Sequence, residues 1–276
     1  MRTGVRALTT MAAAAIALAF PAPAAQAGYL DELAVAHRGA TTSSIAEGTM
    51  AAYSYAVRHH ADILDGDVRW AKDGADADTV GAMVISHDAT LNRVTNCSGY
   101  VSDWLWSSIY KKCRTDVGHK RLIRLVDLLK YGNSVGKPFA IEIKPSTITN
   151  AQAKQLWNAV KHSPVQLEAG ASALPALNKI KKLDAADPYH KISYARITSG
   201  GSGWPSVATL KKTGNSVHAN KSIPASVMRS YKAGGLKVYL FTGKNERDYA
   251  RMASLRPYAV VVDDVGRFQR WRDAQS

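Results

Sequence analysis

From residue 33 to residue 264, short apolar runs rich in β-branched residues alternate with stretches of helical periodicity. The runs fall at 33–37, 63–70, 139–144, 165–168, 191–197, 216–220, 237–242 and 259–264. Runs that are apolar on both faces read as strands covered on both sides, the mark of a parallel sheet. Between them, "GTMAAYSYAVRHH" carries Met50, Tyr53 and Val57 at helical spacing. "ITNAQAKQLWNAVKH" follows a Thr/Asn cap, and "IPASVMRSYKAGG" has Pro224 near its start and Gly234 at its end. Eight strands with helices between them predict an α/β fold, a (β/α)8 TIM barrel. A doubly wound open sheet is the alternative, but no Gly-rich dinucleotide loop follows the first strand.

Residues 71–120 break the alternation with one extra run, "AMVIS", a Trp-rich stretch and both cysteines, Cys97 and Cys113. This segment reads as an insertion on the barrel, tied by a disulfide that would stabilise it by roughly 3 kcal/mol in the chain-entropy model. The oxidising compartment this requires is supplied by the N-terminus. Arg2 and Arg6 precede the apolar "MAAAAIALAF" and an Ala25-Gln26-Ala27 cleavage signal, a secretory leader over residues 1–27. No other run is apolar and long enough to span a bilayer. One secreted, extracellular domain over residues 28–276 is expected, acting as a monomer.

The net charge of +14 favours anionic partners. The basic residues read as spread along the chain, with only short pairs such as Lys211-Lys212, which argues against dedicated nucleic-acid binding. Their excess is expected to steer small or polymeric phosphodiester substrates, including teichoic acid-like polymers, towards the protein.

Function in such a barrel gathers where strands end at the C-terminal face. His37 ends the first run, and His87 ends "AMVIS". Strand periodicity points Asp65 and Asp67 the same way, and likewise Glu142 and Lys144. Carboxylates inside apolar strands are costly unless paired or metal-bound. Asp65, Asp67 and Glu142 suit a hard cation with oxygen ligands. Each doublet alone also fits a solvated strand face. With a cation and a basic group nearby, two imidazoles meet the needs of phosphodiester cleavage, one taking a proton and the other giving one.

The order of these motifs resembles the glycerophosphodiester phosphodiesterase family, of a secreted bacterial type. The resemblance runs through "HRG", "EGTMAAYSYA", "ADILDGDVRWAKDG", "HDATLNRVTNCSGYVSD", "IEIK" and "KAGGLKVYLFT…VVVDD". It implies a metal-dependent barrel that hydrolyses glycerophosphodiesters to glycerol 3-phosphate and an alcohol. By position, His37 and His87 match the catalytic pair, and Asp65, Asp67 and Glu142 match the metal ligands. Arg38 and Lys144 match the phosphate contacts. Glu47 falls on the glutamate of the family's Glu-Asn-Thr segment, as a further metal ligand or an orienting group. A charge favouring a helix N-terminus explains it equally well. Calcium, abundant outside cells, is preferred to magnesium as the expected cation.

Three departures stand out. Asp65 replaces a usual Glu, and Gly48 replaces the asparagine of the Glu-Asn-Thr segment. Phe241-Thr242-Gly243-Lys244 replaces Trp-Thr-Val-Asn, so Phe241 keeps an apolar substrate wall while Lys244 adds charge. A phospholipase D of the sphingomyelinase type is the nearest rival, and Trp104 and Trp106 would then offer a membrane-facing rim. Otherwise the same two tryptophans pack within the insertion. A non-catalytic binder of anionic cell-wall polymer is the rival from another class.

Overall fold

A computed structural model describes residues 32–72, 80–188, 192–201 and 203–275. The leader and its cleavage site lie outside the described residues. The first half holds β1 (Leu33–Ala36), α1 (Met50–Arg58), β2 (Ile63–Trp70), β3 (Met83–Ile85), α2 (Trp106–Lys112), α3 (Leu125–Ser134), β4 (Phe139–Ile143) and α4 (Asn150–Val160). The second half continues with β5 (Leu167–Ala171), α5 (Leu174–Ala185), β6 (Ile192–Thr198), α6 (Val207–Lys211) and β7 (Ser216–Asn220). It ends with α7 (Ala225–Ala233), β8 (Lys237–Gly243), α8 (Glu246–Ala253), β9 (Ala259–Val262) and α9 (Val265–Asp273).

Eight of the strands are parallel and run in the order β1-β9-β8-β7-β6-β5-β4-β2, and β1 pairs back onto β2. That last pairing, Val35 with Ile63 and Ala36 with Leu64, closes the barrel and excludes the open sheet. Closure needs every strand covered on both faces, which is why the strands read as unbroken apolar runs. Leu64, Phe139, Ile141, Val238 and Leu240 face the helices, with Leu128, Leu156 and Met228 among their neighbours in one core. Val35, Ile63, Ala140, Tyr239, Ala259 and Val261 fill the barrel interior. Gly66 is outward-facing on β2, where a Cβ would sit 2.9 Å from Leu128 Cδ2, so α3 packs close against the backbone. The helices start on side-chain caps where the sequence offers them. Thr49 accepts from the Ala52 amide, and Thr149 with Gln152 forms a capping box.

One expectation needs correction. The fourth barrel strand is Leu167–Ala171 rather than 165–168. Its Ala-Gly-Ala tail reads as a breaker in sequence, yet it is buried because Ile197 of β6 packs 3.3 Å from the Cβ position of Gly170. The run "AMVIS" is the extra strand of the insertion: it supplies β3, which lies outside the closed ring and leads to His87 at the barrel mouth. β3 runs antiparallel to β2, with Val68 opposite Ile85 and Trp70 opposite Met83.

The segment after β2 builds a lobe with its own core of Val84, Leu91, Val101, Ile109 and Leu122. Cys97 and Cys113 are joined in it by a disulfide, with 5.5 Å between their Cα atoms. Trp104 and Trp106 are half-buried against this core, and the Trp104 indole donates to the Ser98 carbonyl at 3.0 Å. Packing, not a membrane rim, accounts for them. Among the described residues no helix is long and apolar enough to cross a membrane.

Candidate active site

The triplet His37-Arg38-Gly39 turns the chain off the end of β1. Arg38 (φ 56°) and Gly39 (φ 96°) both take left-handed backbone, which a non-glycine residue adopts only when its surroundings hold it there. The Arg38 amide donates to Asp65 Oδ2 at 3.0 Å, and its carbonyl accepts from the Gly48 amide at 3.0 Å. Gly48 is itself left-handed (φ 67°), and a Cβ there would lie 2.9 Å from the Ile85 carbonyl oxygen. The family's asparagine tolerates that backbone region but would have to displace β3; glycine does not.

Alternation along the strands brings inward positions to the C-terminal end of the barrel. Asp67 is in register with Glu142 across β2 and β4, and Asp65 with Ala140. Asp65 and Asp67 are buried. Burial, then the charge of Asp67, raises the pKa of both Asp65 and Glu142. Basic groups enter this acidic cluster. Lys144 Nζ lies 3.0 Å from Glu142 Oε1 and 3.7 Å from Asp67 Oδ1, and Arg38 Nε lies 3.3 Å from Asp67 Oδ2.

His37 Nδ1 is 2.5 Å from Asp263 Oδ1. Burial alone would raise the Asp263 pKa, but His37, Lys244 and Arg38 together hold it below the usual carboxylate range. His87 Nδ1 is 2.7 Å from Asp88 Oδ1, and burial lowers the His87 pKa. His87 reaches the site from β3, whose antiparallel course brings the Ser86 amide to the Asp67 carbonyl at 2.9 Å. Each ring is thus oriented through Nδ1 by a carboxylate.

A charged chain joins the two histidine environments. Asp88 pairs with Arg93. Arg93 donates to both oxygens of Glu47, at 2.7 and 3.0 Å, and Glu47 also accepts from Arg38 Nη1 at 3.1 and 3.2 Å. Both Glu47 oxygens are therefore engaged by guanidinium groups.

One cavity of about 640 Å³ is lined by His37, Arg38, Asp65, Asp67, His87, Glu142, Lys144 and Phe241. Lys244, Arg196, Lys221 and His218 also face it, of which only Lys244 was singled out from the sequence. Asp263 and Arg93 are equally outside the set read from strand ends. Arg93 lies within the "HDATLNR" string, but nothing local to "VVVDD" signals a partner for His37.

Asp88 carries a pH dependence. Burial would raise its pKa, but Arg93 and His87 bring it down to about 2. A carboxylate depressed in this way stabilises the fold above its ordinary pKa of about 4, and that stability is lost as the pH falls through about 2. Asp88 is partly solvated, so screening leaves about 1 kcal/mol. In a plot of Tm against pH, Asp88→Asn is expected to flatten the decline over that window. An unchanged acid limb would show that Asp88 contributes nothing there.

Residues 37–267 match the model of the glycerophosphoryl diester phosphodiesterase family. The chain belongs to this family. It is 25% identical over 241 residues to a glycerophosphodiester phosphodiesterase of Caldanaerobacter subterraneus subsp. tengcongensis, covering 84% of this chain and 94% of that relative. The barrel is similar to that of an Oleispira antarctica phosphodiesterase in complex with the product sn-glycerol-3-phosphate. That likeness has a TM-score of 0.73 at 19% identity, covering 87% of this chain and 96% of the other. A glycerophosphodiester phosphodiesterase of Agrobacterium tumefaciens matches with a TM-score of 0.66 at 19% identity, over 88% and 99% of the two chains. Membership makes the chain a phosphodiesterase and disfavours the phospholipase D and binder readings.

The carboxylates can be tested against the divalent cation that the family resemblance implies. Among the described residues, no three histidine, cysteine or carboxylate side chains converge as a ready-made ligand set. Lys144 and Arg38 lie between them instead. The donor chemistry nonetheless fits. Asp67 Oδ2 is buried and among the described residues makes no hydrogen bond, only the 3.3 Å ion pair with Arg38 Nε, and burial followed by repulsion from Asp67 raises the Asp65 and Glu142 pKa values, a charge deficit that a bound cation would offset. Hard oxygen donors with that deficit suit Ca²⁺ or Mg²⁺.

Proposed function

We propose that the chain hydrolyses glycerophosphodiesters to glycerol 3-phosphate and an alcohol, with proton transfer divided between His37 and His87. The observation that carries this reading is a pair of imidazoles, each oriented through Nδ1 by its own carboxylate, facing one cavity with Arg38 and Lys144. Asp65, Asp67 and Glu142 would hold a divalent cation. When bound, it supplies Lewis-acid stabilisation of the phosphoryl charge.

The chain's own groups account for the rest. Arg38 and Lys144 contact the phosphoryl oxygens and offset their growing negative charge. His37 Nε2 takes the proton of the substrate's glycerol hydroxyl as that oxygen bonds to phosphorus. His87 Nε2 gives a proton to the departing alkoxide as the old P–O bond breaks. Water then opens the cyclic phosphate with the two roles reversed. Burial makes the His87 imidazolium a stronger acid but a scarcer one, which suits it to the donor role at mildly acidic pH. Asp263 and Asp88 hold the ring tautomers. Phe241, half-buried in the wall, borders the leaving group. We infer export from the leader and calcium as the cation, and the Cys97–Cys113 disulfide supports an oxidising compartment.

Release of glycerol 3-phosphate from glycerophosphocholine by the purified protein tests the reading. It is expected with calcium, weaker with magnesium and lost in EDTA. Undiminished release in EDTA would sink the cation, and release of choline from intact lipid alone would sink the substrate class.

A further inference from the structure

One stretch of the sequence departs from the even spread of basic residues. Residues 111–124 hold Lys111, Lys112, Arg114, Lys120, Arg121 and Arg124 against a single acid, Asp116. The lobe folds this stretch around a second concavity of about 730 Å³, outside the catalytic cavity. Arg114, Lys120 and Arg121 line it, with Trp106 and Tyr110 of α2. Asp127 also borders it, but Arg124 engages both of its oxygens at 3.0 Å, so it does not neutralise the other basic groups.

The groove is built rather than incidental. Arg114 Nη1 donates to the Tyr110 and Cys113 carbonyls at 3.1 and 2.7 Å, and Arg121 Nε donates to the Tyr110 carbonyl at 3.1 Å. The disulfide anchors the end of α2 from which Arg114 extends, and Asn96 Oδ1 accepts from the Arg114 amide at 2.7 Å. Both guanidinium groups are thereby oriented while keeping further N–H donors for an anion, so binding costs them little side-chain freedom.

The occupant is narrowed by shape and by the aromatic rings. A concave groove fits a chain better than a flat bilayer. Arg121 lies over the Tyr110 ring at 4.5 Å, Arg124 over Trp106 at 5.8 Å, and the two rings pack against each other at 5.7 Å. A guanidinium group lies over one face of each ring, which reduces the aromatic surface left for stacked bases and disfavours single-stranded nucleic acid as the ligand. A chain that carries phosphates along its length matches the groove's concave shape and its oriented guanidinium donors. The groove adjoins the catalytic machinery, because Leu122 borders both it and the pocket floor around Arg38, Glu47 and His87. Leu122 bridges to Thr49, and the Ile123 amide donates to the Gly48 carbonyl at 3.2 Å.

We propose that this groove is an exosite for a linear, base-free phosphodiester polymer, holding the chain while one of its linkages enters the catalytic cavity. The proposal rests on the phosphodiesterase reading above and names a substrate class for it.

The test separates the two. Binding of a poly(glycerol phosphate) of about ten repeats to the His37→Ala protein requires no turnover. Adding Arg114→Ala and Arg121→Ala is expected to weaken it by about tenfold or more, with a steep salt dependence. In the otherwise unaltered enzyme, the same pair is expected to raise KM for the polymer about tenfold and leave kcat/KM for glycerophosphocholine within about twofold. Arg114 also caps the end of α2, so the exposed Lys120→Glu serves as an independent variant that alters charge without removing those bonds, and it should shift polymer KM in the same direction. Unchanged polymer binding in both variants would overturn the exosite, as would equal losses on polymer and monomer. An oligothymidylate or phosphatidylglycerol vesicles binding the groove more tightly than the polymer would overturn the assigned ligand. An absence of turnover on any glycerophosphodiester would overturn the phosphodiesterase reading while the binding arm still decided the groove.

Discussion

His37→Ala is expected to lower kcat/KM for glycerophosphocholine by about 10²–10⁴-fold, or about 3–5 kcal/mol of transition-state stabilisation. The ring is 18% exposed at the cavity, and among the described residues its hydrogen bond is to Asp263, so its removal leaves the packed interior intact. The protein should unfold at nearly its original temperature while losing its turnover. Asp263→Asn provides the companion measurement. It keeps the shape but removes the charge that fixes the Nδ1 tautomer, and a fall of about tenfold or more is expected with substrate KM little changed. A His37→Ala enzyme retaining activity within tenfold would remove His37 from the proton-transfer step.

Glu47→Ala should be the most damaging single change to the acid–base network outside the histidines. Glu47 is 8% exposed and accepts four hydrogen bonds from two arginines. Removing it leaves Arg38 with only Asp67 and Arg93 with only Asp88 as carboxylate partners among the described residues. Breaking one side of a fully buried ion pair costs about 3–5 kcal/mol, and with Arg93 half-exposed a loss of about 2 kcal/mol is expected. Urea denaturation should show the midpoint falling with an unchanged slope. Activity should fall as well, since Arg38 loses its anchor and Arg93 no longer ties Asp88 and His87 to the opposite wall. The same experiment separates the two roles considered for Glu47. A metal ligand would lose cation affinity while the cation-free protein kept its stability. An orienting group destabilises the protein with or without the cation. A loss of less than about 1 kcal/mol would mean the arginines find other partners.

Strand periodicity made much of the site legible. With a period of two, Asp65 and Asp67 share a face whatever the fold, and so do Glu142 and Lys144. Burial of both faces made the strands readable as apolar runs, and the helices between them implied parallel pairing. His37 followed because strand ends are the only places where such a barrel exposes polar groups. These are consequences of local pattern, and a chain carries them in its sequence.

What lies beside what was decided only by the tertiary structure. β1 and β9 pair in step, Ala36 with Val262, so the next residues on each, His37 and Asp263, meet across 226 positions of sequence. No local signal specifies that register; it follows from closing the ring of strands. His87 approaches along an antiparallel edge strand, a direction that the run "AMVIS" does not encode locally. Arg38 and Arg93 converge on Glu47 from separate segments, and the basic residues of 111–124 form a groove because a disulfide and two hydrogen-bonded guanidinium groups hold them in one concave wall. Periodicity sets the face on which a side chain lies. Neighbours across a closed sheet are set by long-range packing, which has no period to read.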